Sequence, residues 1–321
     1  MNWKSIIKRG FIPLISYASV LYVFFNASLS CPATEWSAPK EETYSSGTKY
    51  SFDVLPITNE PCTYGLCQGV LWEQTDGKKK KLWSRYLANN RRPVDVVVSP
   101  NGKYVVTLDE WGRMGCLPVV FYGPGGELLQ VFSINDLGIP HTKIKTAVGG
   151  DQFWRDNAIM FFEPESRYFI IWFPWEKVLV FDLGYRVHLC RKDFFRGKTW
   201  AQLKPFIINK IKSVAISLLD SSDPRNRTTG AIALGQVGDE TAIPKLERLR
   251  DDLSFSLILS PDGMKKDFYV REAALKSLDL IRLRISNNRD VLKAKKKQKN
   301  TKCQKEAPSS DGTMEEEKVN R

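Results

Sequence analysis

Residues 94–111 read VDVVVSPNGKYVVTLDEW. Val94–Val98 is a short β-branched run, Ser99-Pro100-Asn101-Gly102 interrupts it, and Lys103–Leu108 resumes it. β-Branched runs suit a pleated, packed surface, and Asn-Gly offers the two positive-φ positions of a tight turn, so the stretch predicts an antiparallel hairpin. The rhythm continues downstream. Asp109–Gly115 reads as a second turn, Val119–Tyr122 as a third strand, Gly123-Pro124-Gly125-Gly126 as a third turn and Leu128–Ser133 as a fourth strand.

This hairpin is similar to the Ser-Pro-Asp-Gly-(Lys/Arg)-(Tyr/Phe) turn of WD-like and TolB/YncE-like propeller blades, and four antiparallel strands in about 40 residues is the size of one blade. A weaker copy follows as Ala158–Phe162, a turn, Tyr168–Phe173, a turn, and Val178–Asp182. Two to three such units fall short of the four that a closed ring needs. The expectation for residues 69–200 is therefore an all-β domain, a blade-like sheet or sandwich forming an incomplete propeller. Residues 31–68, rich in Pro, Ser, Thr and Glu before the pattern changes, read as a linker.

From Pro205 the apolar period lengthens to that of a helix, with Phe206, Ile207, Ile211, Val214, Ala215, Leu218 and Leu219 on one face. Residues 223–249 then read DPRNRTTGAIALGQVGDETAIPKLERL. Asp223 suits an N-cap and Pro224 the first turn of a helix. Ala231 and Ala233 permit close helix approach, Gly235 and Gly238 would let the chain turn back, and Pro244 would open the next helix. The stretch resembles the bacterial HEAT repeat of the phycobilisome-lyase-like type, and departs from it at Asn226 and Gly230. A partial second copy begins at Asp267, after an insertion over Ser254–Lys266. The resemblance implies antiparallel helix pairs in which Asp223, Pro224, Arg227, Gly235, Gly238, Asp239 and Arg271 are structural. Some relatives of this repeat are bilin lyases, but no matching catalytic constellation carries that activity over. Two repeats are fewer than a free-standing solenoid needs, so residues 206–285 should bury an open end against the β domain. The whole is expected to be α+β.

The N-terminus has Lys4, Lys8 and Arg9 followed by a stretch from Gly10 to Thr34 without a charge. Its apolar core suits the hydrophobic region of a signal peptide better than a full span. Cleavage after Ser30 would make Cys31 the first residue, and the arrangement resembles a bacterial lipoprotein signal in which that cysteine carries the lipid anchor. An uncleaved single-span anchor, simple secretion and a buried apolar helix are the alternatives. The first three place the body on the extracytoplasmic face of the cell envelope. Cys62 and Cys67 flank a Tyr-Gly turn and are candidates for a disulfide, with free buried cysteines as the alternative.

The formal net charge of +12 is concentrated at the ends. The leader has three cations and no acid, residues 289–305 carry eight cations against one acid, and residues 306–321 are net acidic, so the body is only mildly basic. No groove-reading element interleaves aromatic and basic residues, so nucleic acid is not an expected partner. Residues 286–321 read as a charged, disordered tail, the basic run within it as a solvated extension of the last helix, with contact to anionic lipid or polymer as the alternative.

Nucleophile elbows, phosphate-binding loops and zinc-protease helices are absent from the sequence. Two histidines, His141 and His188, give Ser- or Cys-based catalysis almost no base, and no cofactor or metal is implied. The most site-like loop is Asp109-Glu110-Trp111-Gly112-Arg113, with two acids, an indole and a guanidinium at a turn. The leading expectation is a non-enzymatic, membrane-tethered scaffold for an unidentified protein partner. The alternative is a glycan-binding or glycan-hydrolysing protein using Asp109, Glu110, Trp111 and Arg113.

Overall fold

The computed structural model describes residues 42–47, 49–56, 66–147, 150–260 and 263–305. Mainly antiparallel sheets occupy the N-terminal part and helices the C-terminal part, an α+β arrangement. Cys31, Cys62 and the N-terminal leader lie outside the described residues. No helix among those described is long and apolar enough to cross a membrane.

Three four-stranded meanders form the β part. The first joins β1 (Glu42–Ser46), β2 (Tyr50–Pro56), β3 (Cys67–Thr75) and β4 (Lys78–Tyr86). The second joins β5 (Asp95–Val98), β6 (Val105–Leu108), β7 (Val119–Tyr122) and β8 (Leu128–Phe132), and is followed by the short helix α1 (Ile134–Leu137). A two-stranded pair, β9 (Lys145–Thr146) and β10 (Gln152–Phe153), leads to the third meander. That one joins β11 (Ile159–Phe162), β12 (Tyr168–Trp172), β13 (Val178–Asp182) and β14 (His188–Leu189).

The linker expected over 31–68 is therefore partly sheet, since β1 and β2 fall inside it. Tyr50, Phe52 and Val54 alternate along β2 and are buried, while the Asp53 carboxylate on the opposite face accepts from Thr43 and from the Trp72 indole.

The sheets stack face to face, and strand alternation explains how. Along β7, Val120 and Tyr122 enter a core shared with Phe52, Leu71 and Trp83 of the first sheet. Val119 and Phe121 point the other way, into a core shared with Phe169, Ile171 and Phe181 of the third. β12 repeats the device. Phe169 and Ile171 face the second sheet, while Tyr168, Ile170 and Trp172 face the helices. A strand buried on both faces has no polar side to show, which is why YFIIW and VVFY carry no charge.

The hairpin at residues 99–104 differs from the tight Asn-Gly turn expected. Only Gly102 has positive φ (67°), and Asn101 instead turns its side chain inward, Oδ1 accepting from the Ser99 hydroxyl and the Lys103 amide. A side chain at Gly102 would strike the Tyr50 ring of the first sheet. The turn at 163–168 repeats this geometry with Ser166 at φ 62°. Glu163 takes the place of Ser99 there, its carboxylate accepting from the amides of Glu165, Arg167 and Tyr168.

The helices cover the free face of the third sheet. α2 (Lys198–Leu218) lays Ile207, Ile211 and Ala215 into the core with Ile159, Phe161, Ile170 and Trp172. α3 (Pro224–Val237) packs between α2 and α5 (Tyr269–Lys305), with the short α4 (Ile243–Arg248) completing the group. Asp223 is the N-cap of α3, its side chain accepting from the Arg225 amide, with Pro224 in the first turn. Gly235 is not a turning point: it lies inside α3, where an added Cβ would sit 2.7 Å from the Ser277 hydroxyl of α5. Gly230, the departure from the repeat pattern, has the same reason, since a Cβ there would meet the Ala215 carbonyl oxygen of α2 at 2.6 Å. Gly238 caps α3, and Arg284 of α5 donates to the carbonyls of Gly235 and Gly238, satisfying groups that a helix end leaves open.

Arg227 is the main brace between the two halves of this region. It donates to Asp252 (2.8 Å), to the carbonyls of Ser221 and Ser222, and to the Ser254 hydroxyl, while Arg271 reaches the Asp252 carbonyl. Asp239 caps the following turn and pairs with Lys212, which together hold its carboxyl down at about 2. The insertion forms a separate hairpin of β15 (Ser256–Ser260) and β16 (Gly263–Asp267). α5 continues to Lys305, so residues 286–305 of the expected tail are helical, the basic run extending the last helix; Lys, Ala, Gln and Leu are strong helix formers and no Pro or Gly interrupts them.

Candidate functional site

Asp109 directly follows β6 at φ 55°, in the left-handed region, and its carboxylate turns inward instead of outward. It is fully buried. Oδ1 accepts from the Trp154 indole (2.7 Å) and the Gly115 amide (3.0 Å), and Oδ2 accepts from the Arg155 Nε (2.5 Å). The same guanidinium reaches Asp95 at 2.6 Å, so Arg155 is gripped between two carboxylates. Burial pushes the Asp109 carboxyl upward, against the pull of Arg155 and of the Trp154 and Gly115 donors. Burial also works against the Arg155 charge, but Asp95 and Asp109 outweigh it and hold the guanidinium charged.

The loop thus departs from a display of two acids at a hairpin tip. Asp109 is consumed by Trp154 and Arg155, and Glu110, 1% exposed, accepts from the Asn90 amide at 2.6 Å. Neither carboxylate stands at the surface. Sequence could not show this, because the partners that bury them lie 20 to 46 positions away. Trp111 and Arg113 stay nearer the surface, Trp111 half-buried and Arg113 exposed.

What the loop builds is one wall of a cleft of about 950 Å³ where the sheets meet the helices. Trp111, Gly112 and Met114 come from this loop, Phe153 from β10, Arg155 and Asp156 from the segment after it, and Asp95 from β5. The opposite wall is the first turns of α3, with Asp223, Arg225, Asn226, Thr228 and Thr229, together with Tyr269 at the start of α5. Two hydrogen bonds pin the β-side loops to each other, from the Met114 amide to Asp151 and from the Gln152 amide to the Met114 carbonyl. One spans the seam: the Thr229 hydroxyl donates to Asn157 at 3.0 Å.

Charge in the cleft is uneven. Asp95, Asp151, Asp156 and Asp223 line it against Arg155 and Arg225. Arg155 is already neutralised by Asp95 and the buried Asp109, Arg225 pairs with Asp223, and Lys145 holds Asp156 from outside. Trp111, Phe153 and Tyr269 supply aromatic surface among these acids.

A second, shallower groove of about 1400 Å³ runs past β13, β14 and the turn that follows. Cys190 and His188 both line it, but burial pushes the thiol up to about 11 and the His188 Nδ1 is turned to the Arg186 carbonyl. A thiol so reluctant to ionise is a poor nucleophile at neutral pH. Among the described residues no group of three or more His, Cys, Asp or Glu is arranged to hold a metal ion. Cys67 is buried in the first sheet, and its disulfide candidate Cys62 lies outside the described residues.

No protein-family model matches the chain, and no curated protein matches it. Among solved structures, it is similar to a 6-phosphogluconolactonase-type protein from Bacteroides fragilis NCTC 9343, with 13% identity over 48% of this chain and a TM-score of 0.27. The match spans 39% of that protein's length.

Proposed function

We propose that this is an interaction protein, held at the extracytoplasmic face of a membrane by its N-terminal segment, which takes a basic stretch of a protein partner into the cleft at the seam. The observation that carries the reading is the lining of that cleft. Both halves of the molecule contribute to it, its arginines are already paired with its own acids, and aromatic faces stand beside the aspartates. A lysine or arginine side chain entering there would meet carboxylates and a π-face together, an attraction worth about 0.5–2 kcal/mol per contact depending on desolvation.

The architecture supports a rigid frame for such a site. Three meanders follow one another face to face, as blades do in a propeller, and a short HEAT-like helical stack occupies the place where a further blade would cover the third. The reading is of a binding site because the acids nearest its floor serve to fix Arg155.

A peptide array displaying basic, neutral and acidic segments, probed with the full chain in mild detergent, tests this directly. Basic peptides should be retained, with binding that weakens as salt is raised. Asn226→Arg, at an exposed position of the α3 wall, should reduce retention at least tenfold while the melting temperature stays put. Equal retention of acidic peptides, or indifference to Asn226→Arg, would sink the reading.

A further inference from the structure

The β15–β16 hairpin packs on little besides itself, and among the described residues neither of its edges is paired with another strand. It also exposes apolar side chains, with Leu257 58%, Ile258 45% and Met264 65% accessible. Two strands alone are marginal in water, and an uncharged, apolar edge is an invitation to pair. The two edges are not equivalent. β16 carries Lys265 and Lys266, and ammonium groups on an edge discourage strand addition. β15 is Ser-Leu-Ile-Leu-Ser, with no charge at all.

That sequence reads the same in both directions about Ile258. In an antiparallel pair between two copies of the strand, such symmetry sets Ile258 against Ile258, Leu257 against Leu259, and Ser256 against Ser260. The backbone agrees with this centre. The hairpin register pairs Ser260 with Gly263, Leu259 with Met264, Ile258 with Lys265 and Leu257 with Lys266. Across a two-residue loop the closing pair exchanges hydrogen bonds, and bonded and non-bonded pairs then alternate. Residues 260, 258 and 256 thus spend their amides and carbonyls on β16, which leaves those of 257 and 259 pointing outward. These are the groups that a two-fold axis through Ile258 would join.

The geometry points to a second copy of this chain as the occupant of the β15 edge, forming a two-fold, four-stranded sheet with the lysine-bearing β16 strands outermost. An isologous contact of this kind closes on itself and stops at two chains. The face is separate from the seam cleft and does not depend on what binds there.

The test is the mass of the full chain in mild detergent, measured by light scattering with the detergent subtracted, across a dilution series. The wild type should have twice the chain mass and dissociate on dilution. Leu257→Pro removes an outward amide, and Ile258→Lys sets two ammonium groups face to face; each should raise the dissociation constant at least tenfold. Lys266→Pro removes an amide from the other edge and should leave the dimer intact. Ile258→Cys should give a disulfide-linked dimer on mild oxidation beyond what the wild type gives. A monomeric wild type, a dimer insensitive to Leu257→Pro, or one lost equally with Lys266→Pro would overturn the proposal, as would an unlinked Ile258→Cys chain.

Discussion

β12 and β15 are both five-residue apolar strands in antiparallel hairpins, Tyr-Phe-Ile-Ile-Trp in one and Ser-Leu-Ile-Leu-Ser in the other. Every side chain of β12 is buried, alternate residues serving two different cores. β15 leaves Leu257 and Ile258 at the surface. Local propensity cannot separate them; what differs is whether another layer stands on each face. Apolar strands in this protein are inner layers when sheets or helices flank them, and a candidate contact surface when nothing does.

The contrast can be broken most severely at Ile170, which sits fully buried at the centre of β12 against the helices. Ile170→Ala should cost about 2–5 kcal/mol in urea unfolding. Ile258→Ala, chemically the same change, should stay within about 0.5 kcal/mol when measured on dilute chain. Similar costs at the two positions would refute the layer argument.

Arg155 tests the floor of the cleft. Arg155→Ala leaves Asp109 buried without its cation, and breaking a buried pair from one side costs about 3–5 kcal/mol. Replacing Asp109 by Asn as well should recover part of that loss, since the orphaned charge goes with it. A double variant no better than the single one would mean that shape, not charge, holds the loop.

Gly235→Ala should destabilise by about 1–3 kcal/mol, because α3 and α5 must part to admit the methyl group beside Ser277. Thermal melting of the purified chain would read this, and a neutral or stabilising result would show that the helices do not approach as closely as described.

The smallest effect is expected at Asp239. Lys212 and the Thr241 hydroxyl lower its carboxyl from 3.8 to about 2, so it favours the folded state above pH 3.8 and loses that contribution as pH falls toward 2. Over half of the Asp239 side chain is exposed, which makes the effect small and sensitive to salt. Asp239→Asn should flatten this part of the stability–pH curve; an unchanged curve would mean the Lys212 contact contributes nothing.

Much of this arrangement was legible in the residues. Turn chemistry marked the second and third sheets, because Pro, Gly and Asn punctuate strands too apolar to be loops. Asp223 and Pro224 placed the start of α3 for reasons of capping alone. The first sheet was harder to see: only one of its faces joins an apolar core, so polar residues such as Thr43, Ser51 and Asp53 dilute the pattern, although Tyr50, Phe52 and Val54 do keep a period of two. The site was read least well. Acids beside a tryptophan in a turn look displayed, and only the distant Arg155 and Trp154 reveal that Asp109 faces inward. The cleft itself is made by the meeting of two regions, a relation that no local stretch contains.

The helices are the layer that seals the third sheet. Ending the chain at Gly197 would uncover Ile159, Phe161, Tyr168, Ile170 and Trp172 together. Thermal unfolding of that truncated chain, followed by near-ultraviolet circular dichroism and dye binding, should show no cooperative transition and strong binding of a hydrophobic dye. A sharp transition at the temperature of the full chain, with no dye bound, would contradict it.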